Sequence, residues 1–201
     1  KSQTISVMSF NIRYDNPNDG ENRWEKRKSE VLNLIKTYHP DFLGIQEGLE
    51  HQVNFINEKI SRYSFIGVGR EDGKAKGEFS PIFYDNTKYE LIKHHTFWLS
   101  DKPDIVSIGW DDALERICTY GFFKEKQTGH QIHVFNAHFD HMGIKSREMS
   151  AQLIVKKINE FAPIDAQIIL MGDFNAAPES NTIATFGNAL SDGLKISKET
   201  F

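Results

Sequence analysis

The sequence predicts an α/β fold of the α+β type, and three observations predict it. Short apolar runs with two-residue alternation read as strands, stretches with apolar residues at helical spacing separate several of them, and successive strands end on polar or ionisable side chains. The clearest of these ends is Asn136 to His141, reading Asn-Ala-His-Phe-Asp-His directly after Ile132, Val134 and Phe135. Alternation places Asn136 and His138 on one face, with Asp140 joining them if the chain stays extended. A sheet edge turning polar as it meets water would explain one such histidine, but similar endings recur along the chain.

Thr4 to Ile12 reads as a strand with Ser9 and Asn11 on one face and Met8, Phe10 and Ile12 on the other. Arg13 to Asn22, rich in Asn, Asp, Pro and Gly, is expected to be irregular, and Asn22 with Glu25 resembles a capping box opening a helix that reaches Tyr38. Val31, Leu32, Leu34, Ile35 and Tyr38 form its apolar stripe, while Arg23, Lys26, Arg27 and Lys28 read as a solvated face. His39-Pro40-Asp41 breaks that helix, and Phe42 to Gln46 makes a short buried strand running into Glu47 and Gly48.

Leu49 to Ile60 is predicted helical, Tyr63 to Val68 a strand, and Gly69 to Gly77 a charged, glycine-bearing loop expected to be mobile. Glu78 to Tyr84 and Tyr89 to His95 read as a strand pair across Asp85-Asn86. Ser100 to Asp112 is a connection long enough to hint at function. Arg116 to Lys124 and His130 to Ala137 bracket Gln127-Thr128-Gly129 as a hairpin. Ser146 to Phe161 reads as a helix ended by Pro163, and Gln167 to Met171 as a continuous apolar strand stopping at Gly172-Asp173-Phe174-Asn175. A short helix is expected near Thr182 to Phe186, and no pattern is legible from Gly187 to Phe201.

With 201 residues and no internal repeat, the chain reads as one domain over 1–201. Its longest apolar stretches, such as Ile168 to Met171, are too short to span a membrane, so a soluble protein, and a monomer, is expected. Lys and Arg total 24 against 28 Asp and Glu, a net charge of -4 that gives no global attraction to a polyanion. Cys118 is the single cysteine and fixes no compartment. The start at Lys1 leaves export after removal of a leader as one reading of the localisation.

Four predicted strands thus end on Asn11, on Glu47, on Asn136 with His138, and on Asp173 with Asn175, and packed sheets would bring those ends to one cleft. Carboxylates and amide oxygens without a cysteine cluster suit a hard cation such as Mg²⁺, which takes few protein ligands and leaves room for water and phosphate. His138 suits a proton donor or a phosphate contact better than a metal ligand. Gly-x-Ser-x-Gly, a phosphate-cradling Gly-x-x-x-x-Gly-Lys and a dinucleotide glycine fingerprint are all absent, and what remains is metal-assisted hydrolysis.

Met8-Ser-Phe-Asn-Ile-Arg13, Gln46-Glu-Gly48, Asn136-Ala-His-Phe-Asp-His141 and Gly172-Asp-Phe-Asn175, in this order over nearly the whole chain, resemble the endonuclease/exonuclease/phosphatase family, which includes deoxyribonuclease I. The resemblance implies two packed mixed β-sheets flanked by helices, a four-layer α-β-β-α sandwich, and a phosphoester hydrolase that uses Mg²⁺, with Mn²⁺ as the alternative. It implies Glu47 as principal metal ligand with Asn11 beside it, His138 as the histidine that contacts phosphate and protonates the leaving oxygen, and Glu78 as its partner. Asp173 resembles the residue that orients or deprotonates water and Asn175 one that holds a phosphate oxygen. Asn136, Arg116, Asp140 and His141 are expected on the side that meets substrate phosphate.

Each has a plainer reading beside it: a turn amide for Asn11, an exposed loop acid for Glu78, a surface arginine for Arg116, an Asx turn for Asp173 and Asn175. Phe97, Trp98 and Trp110 would line a pocket, or pack in the core. The expected substrates are a phosphorylated small molecule, a phospholipid head group as in sphingomyelinases, or a nucleic acid. A binding module that has lost catalysis is the reading from another class.

One departure stands out. The family usually closes with a strand Asp and a final Ser-Asp-His, whereas Ser191-Asp192 is followed here by Gly193. The expectation is a domain truncated at its C-terminus and lacking the last strands. An intact mass above the 23.1 kDa of these residues is the expected outcome, and a gene stopping after Phe201 would contradict it.

Overall fold

Two crossovers set the architecture of the computed structural model, which describes residues 4–187 and 189–193. β1 (Val7–Asn11) leads through a 3₁₀ turn (Gly20–Asn22) and α1 (Trp24–Tyr38) to β2 (Phe42–Gln46), parallel to β1 with Asn11 opposite Gln46. β7 (Gln131–His138) leads through α3 (Ile144–Phe161) to β8 (Gln167–Asp173), again parallel, with His138 opposite Asp173. Parallel neighbours need such a crossover, and it leaves both strands of each pair ending on the same side.

Three further elements build out the first sheet: α2 (Glu50–Lys59), β3 (Tyr63–Ile66) and β4 (Ile82–Asp85), giving the order β1-β2-β4-β3. The second sheet adds β5 (Tyr89–Trp98) and β6 (Ile117–Glu125) in the order β5-β6-β7-β8, and α4 (Asn181–Gly187) packs against α3. The hairpin between β6 and β7 forms as expected, with Gly129 at φ 77 in its turn.

Alternation sorts the side chains into three apolar layers. Phe42, Ile82, Phe123, Ile132, Val134 and Met171 fill the space between the sheets. Trp24, Val31, Ile35, Leu43, Ile45 and Val53 lie between the first sheet and its helices, and Phe97, Phe135, Ala137, Ile154 and Phe186 lie between the second sheet and its own. The result is the four-layer α-β-β-α sandwich that the sequence predicts. Among the described residues no helix is long and apolar enough to cross a membrane.

Several expectations are corrected. The strands on either side of Asp85-Asn86 do not pair: β4 joins β2 and β3, whereas β5 joins β6 in the other sheet. Asp85 holds the turn through Thr87 N at 3.0 Å and Arg62, and the chain uses it to change sheets. No capping box opens α1, because Asn22 belongs to the 3₁₀ turn and Arg23 is the N-cap, without a side-chain cap. Leu34 and Tyr38 are exposed, and Arg27 turns back to the carbonyls of Ile12, Arg13 and Asn22. The 69–77 loop, expected to be mobile, is closed by Gly69 N to Lys74 O at 2.9 Å and Glu71 N to Lys76 O at 3.1 Å. The stretch 194–201, part of the patternless end, lies outside the described residues.

Asn136 is the correction with most consequence. Expected at the substrate phosphate, it is fully buried between the sheets, where it accepts Gln46 Nε2 at 2.7 Å and donates to Ile45 O and Pro81 O, each at 2.8 Å. It does share a face with His138, but that face is already covered at Asn136. Gly44 makes room for it, since a Cβ there would lie 2.7 Å from Asn136 Oδ1. Asn136→Ala removes three buried hydrogen bonds, each worth about 0.5–1.5 kcal/mol, while Pro81 O keeps Ile45 N at 3.2 Å and Gln46 Nε2 keeps Gly44 O at 3.3 Å. A loss of about 3 kcal/mol, or roughly 6–12 °C in thermal midpoint, is expected by calorimetry. An unchanged midpoint would contradict the role given to this junction.

Candidate active site

The backbone turns sharply beyond three of the four strand ends. After β1, β2 and β8 a non-glycine residue takes positive φ: Arg13 at 58°, Glu47 at 62° and Asn175 at 45°. Such backbone costs about 1 kcal/mol per residue and persists where the surroundings impose it. Gln52 supplies part of that constraint from α2, accepting Leu49 N at 3.1 Å and Asp15 N at 3.0 Å while donating to Arg13 O at 3.0 Å. It therefore pins the 13–15 segment beside Glu47, whose Oε2 accepts Tyr14 N at 3.2 Å.

Two carboxylates from different sheets converge there. Asn11 Nδ2 donates to Glu47 Oε1 at 2.8 Å and to Asp173 Oδ2 at 3.0 Å, while Asn11 Oδ1 accepts Arg13 N at 2.9 Å. The Arg13 guanidinium is 3.9 Å from Glu47 Oε2 but lies closer to Asp19, at 3.0 Å. Two carboxylates meeting on one amide, with so little positive charge between them, fit a divalent cation. Among the described residues no trio of His, Cys, Asp and Glu gathers on one point, so the set does not fit a closed zinc cage. It fits a hard ion that keeps several waters and takes one or two carboxylates.

On the strand beside Asp173, His138 faces the second half of the site. Its Nδ1 is 3.6 Å from Glu78 Oε2 and 3.4 Å from Arg116 Nη1, and its Nε2 is 3.3 Å from Asn175 Nδ2. Asn175 is anchored by donating to Phe139 O at 3.0 Å and, from its backbone N–H, to Asp173 Oδ1 at 3.1 Å. Burial by itself would raise the Glu78 carboxyl, but His138 and the Arg70 guanidinium outweigh it and hold Glu78 below the usual carboxylate range. Glu78 is thus half-buried and ionised, not the solvated acid of the plainer reading.

Arg116 is buried and grips Asp140 Oδ1 through Nε at 3.2 Å and Nη2 at 3.1 Å, with Nη2 also 3.2 Å from His141 Nδ1. Asp140 Oδ2 in turn accepts Met142 N at 2.9 Å and Gly143 N at 2.8 Å. Burial opposes ionisation of Asp140, yet these N–H groups and Arg116 keep its carboxyl low. Asp140 therefore serves Arg116 and the turn, while His141 stays largely open to solvent. Phe97 and Trp98 belong to the core, and Trp110 is half-buried.

Sequence reasoning missed Gln52, whose partners Asp15 and Arg13 lie far back in the chain, and Arg70, whose pairing with Glu78 in one loop has no local signal. It quoted Gln46 only within Gln46-Glu-Gly48, without a role. It also missed Asp112 as a titrating group. Burial first, and the charge of Asp140 with it, push the Asp112 carboxyl up to about 6. The folded chain holds that proton more tightly than the unfolded one, so the contribution is full below the ordinary 3.8 and lost as pH rises through about 6. Asp112→Asn is expected to stabilise the protein near pH 8 by on the order of 1 kcal/mol, after discounting for solvent screening, and to gain least near pH 4. Urea midpoints at both values measure this, and equal gains at both would contradict it.

Comparison with known proteins identifies the family and the fold. The Endonuclease/Exonuclease/phosphatase family matches residues 8–193. A mannosyl-6-phosphatase of Bacteroides thetaiotaomicron is similar at 38% identity and TM-score 0.89, over 92% of this chain and 70% of that one. A protein of Acanthamoeba polyphaga mimivirus is 33% identical over 76% of this chain, and a probable RNA exonuclease of Saccharomyces cerevisiae 28% identical over 89%. The chain spans 59% and 39% of the length of those two relatives. With its two packed sheets and the motifs at their strand ends, the chain belongs to the endonuclease/exonuclease/phosphatase family.

Proposed function

We propose that this protein is a divalent-cation-dependent phosphoester hydrolase acting on a small phosphorylated molecule, with a phosphorylated sugar as first candidate. The observation that carries this reading is the meeting of Glu47 and Asp173, from opposite sheets, on the Asn11 amide at 2.8 and 3.0 Å. Glu47 would hold Mg²⁺, or Mn²⁺ in its place, with Asn11 beside it. Asn11 turns its Nδ2 towards Glu47 and Asp173 and its Oδ1 towards Arg13 N, so it positions the two acids and would ligate the ion itself only with its amide reversed. The ion when bound would polarise a phosphoryl oxygen.

The chain's own residues supply the rest. Asp173 is fixed at both oxygens by Asn11 and Asn175, and its remaining lone pairs orient a water and take its proton. Arg116, already held by Asp140, and the Asn175 amide meet phosphate oxygens as negative charge builds, losing little freedom on binding. His141, exposed beside Arg116, extends that grip. His138, with Glu78 behind its Nδ1, gives a proton to the leaving oxygen from Nε2.

A small substrate is preferred over nucleic acid because the chain carries a net charge of -4 and no basic stripe to track a phosphate backbone. The similarity to a sugar phosphatase points the same way. The test is a panel of mannose 6-phosphate, inositol phosphates, sphingomyelin, plasmid DNA and oligoribonucleotides, assayed on the full-length protein with Mg²⁺ and after chelation. Chelator-sensitive turnover of a phosphorylated small molecule is expected, with Glu47→Gln, Asp173→Asn and His138→Ala each lowering kcat at least about 100-fold. Cleavage of nucleic acid alone would overturn the substrate assignment. Mg²⁺ binding without turnover of anything would favour the binding module.

A further inference from the structure

Arg70 is absent from the scheme above, yet its placement is hard to explain by packing. It is 6% exposed, its Nη1 donates to Glu78 Oε2 at 2.9 Å, and its Nε is buried without a hydrogen-bond partner. A buried guanidinium with an orphan N–H is less stable than an apolar side chain of similar size, so fold stability does not call for arginine here. The oxygen it binds is the one that lies 3.6 Å from His138 Nδ1.

We propose that Arg70 is a positioning residue for His138, acting through Glu78. The inference rests on the roles given to His138 and Glu78 above. Glu78 sits on a loop, and a carboxylate on a loop is free to turn unless something holds it. Arg70 holds it by side chain and main chain together, since Arg70 N also donates to Glu78 O at 3.1 Å.

That pair is referenced to both sheets. Trp98, on β5, donates Nε1 to Arg70 O at 2.8 Å, and Phe79 N donates to Gly48 O at 2.8 Å beside Glu47. The loop closes tightly enough for this at Gly69, where a Cβ would lie 2.3 Å from Lys76 O, and at Gly77, with φ 83.

The consequence concerns which nitrogen of His138 carries which task. Arg116 Nη1 also approaches Nδ1, at 3.4 Å, and a guanidinium there can only donate. At 3.6 Å Glu78 Oε2 is an ion-pair neighbour of Nδ1 and not yet a hydrogen-bond acceptor. Kept there by Arg70, it favours the form in which Nδ1 carries the proton and closes on the carboxylate over the form in which Nδ1 accepts from Arg116. Nε2 is then the nitrogen that exchanges a proton on the Asn175 side. Without Arg70, Glu78 is released to pair with Arg116, and the imidazole loses its orientation.

The test compares Arg70→Ala, Arg70→Lys, Glu78→Gln and the Arg70→Ala/Glu78→Gln pair in the full-length protein, using mannose 6-phosphate or whichever panel substrate the parent hydrolyses. Histidine ring ¹⁵N resonances of each variant give a readout independent of turnover. Arg70→Ala is expected to lower kcat by about 10–100-fold with KM within about threefold, Arg70→Lys to recover part of it, and Arg70→Ala to add less than about twofold to Glu78→Gln. The His138 Nδ1 resonance moves away from its protonated position in Arg70→Ala. Parental kcat and parental ring resonances in Arg70→Ala, or losses that simply multiply in the pair, would overturn the proposal. Full activity of Glu78→Gln would instead overturn the Glu78 role itself. Arg70→Met with the same resonances decides the matter if Arg70→Ala does not fold.

Discussion

Everything at the site depends on the register between the two sheets, and that register rests on a buried amide. Asn136 reaches from β7 across the interface to the carbonyls of Ile45 and Pro81 and receives Gln46 from β2. Apolar side chains between the sheets drive their association, but they tolerate sliding. Directional bonds to main-chain carbonyls do not, because a shift leaves buried polar groups unpaired. Two residues beyond Asn136 lies His138, and next to Ile45 and Gln46 lies Glu47, so fixing this junction fixes the distance between the halves of the site.

The two halves differ in how their charge is balanced. Around His138, two guanidiniums meet two carboxylates: Arg70 with Glu78 and Arg116 with Asp140. These pairs are largely buried and keep both acids ionised, which gives the histidine a stiff, preorganised setting. Around Asn11 the balance is left open. Glu47 and Asp173 share one neutral amide, and the nearest cation, Arg13, is engaged with Asp19. An excess of negative charge at one point, beside the fixed donors Arg116 and Asn175, is the arrangement a divalent cation would complete.

The strand ends were legible in the sequence because alternation and abrupt polarity are local signals. Asn11, Glu47, His138 and Asp173 each follow an apolar run, and their common cleft follows from the parallel crossovers. Other features depend on partners far along the chain. The Asp85-Asn86 turn has the same composition whether the strands beside it pair or separate into two sheets. Asn136 shares parity with His138, but only the depth of the sandwich distinguishes a buried junction from a phosphate contact. Arg70 and Glu78 stand in one glycine-bearing loop, and nothing in their spacing says that they pair beneath a histidine.

The central claim is that Glu47 holds a divalent cation, beside Asn11 and Asp173, against a phosphate to which Asp173 directs water. Anomalous diffraction from crystals of the full-length protein grown with Mn²⁺ and phosphate tests it most directly. The account predicts an anomalous peak bound to a Glu47 carboxylate oxygen, beside Asn11 and Asp173, with the phosphate reaching Arg116 and Asn175. Mn²⁺ bound elsewhere, or phosphate ordered against Arg116 with no cation at Glu47, would contradict it.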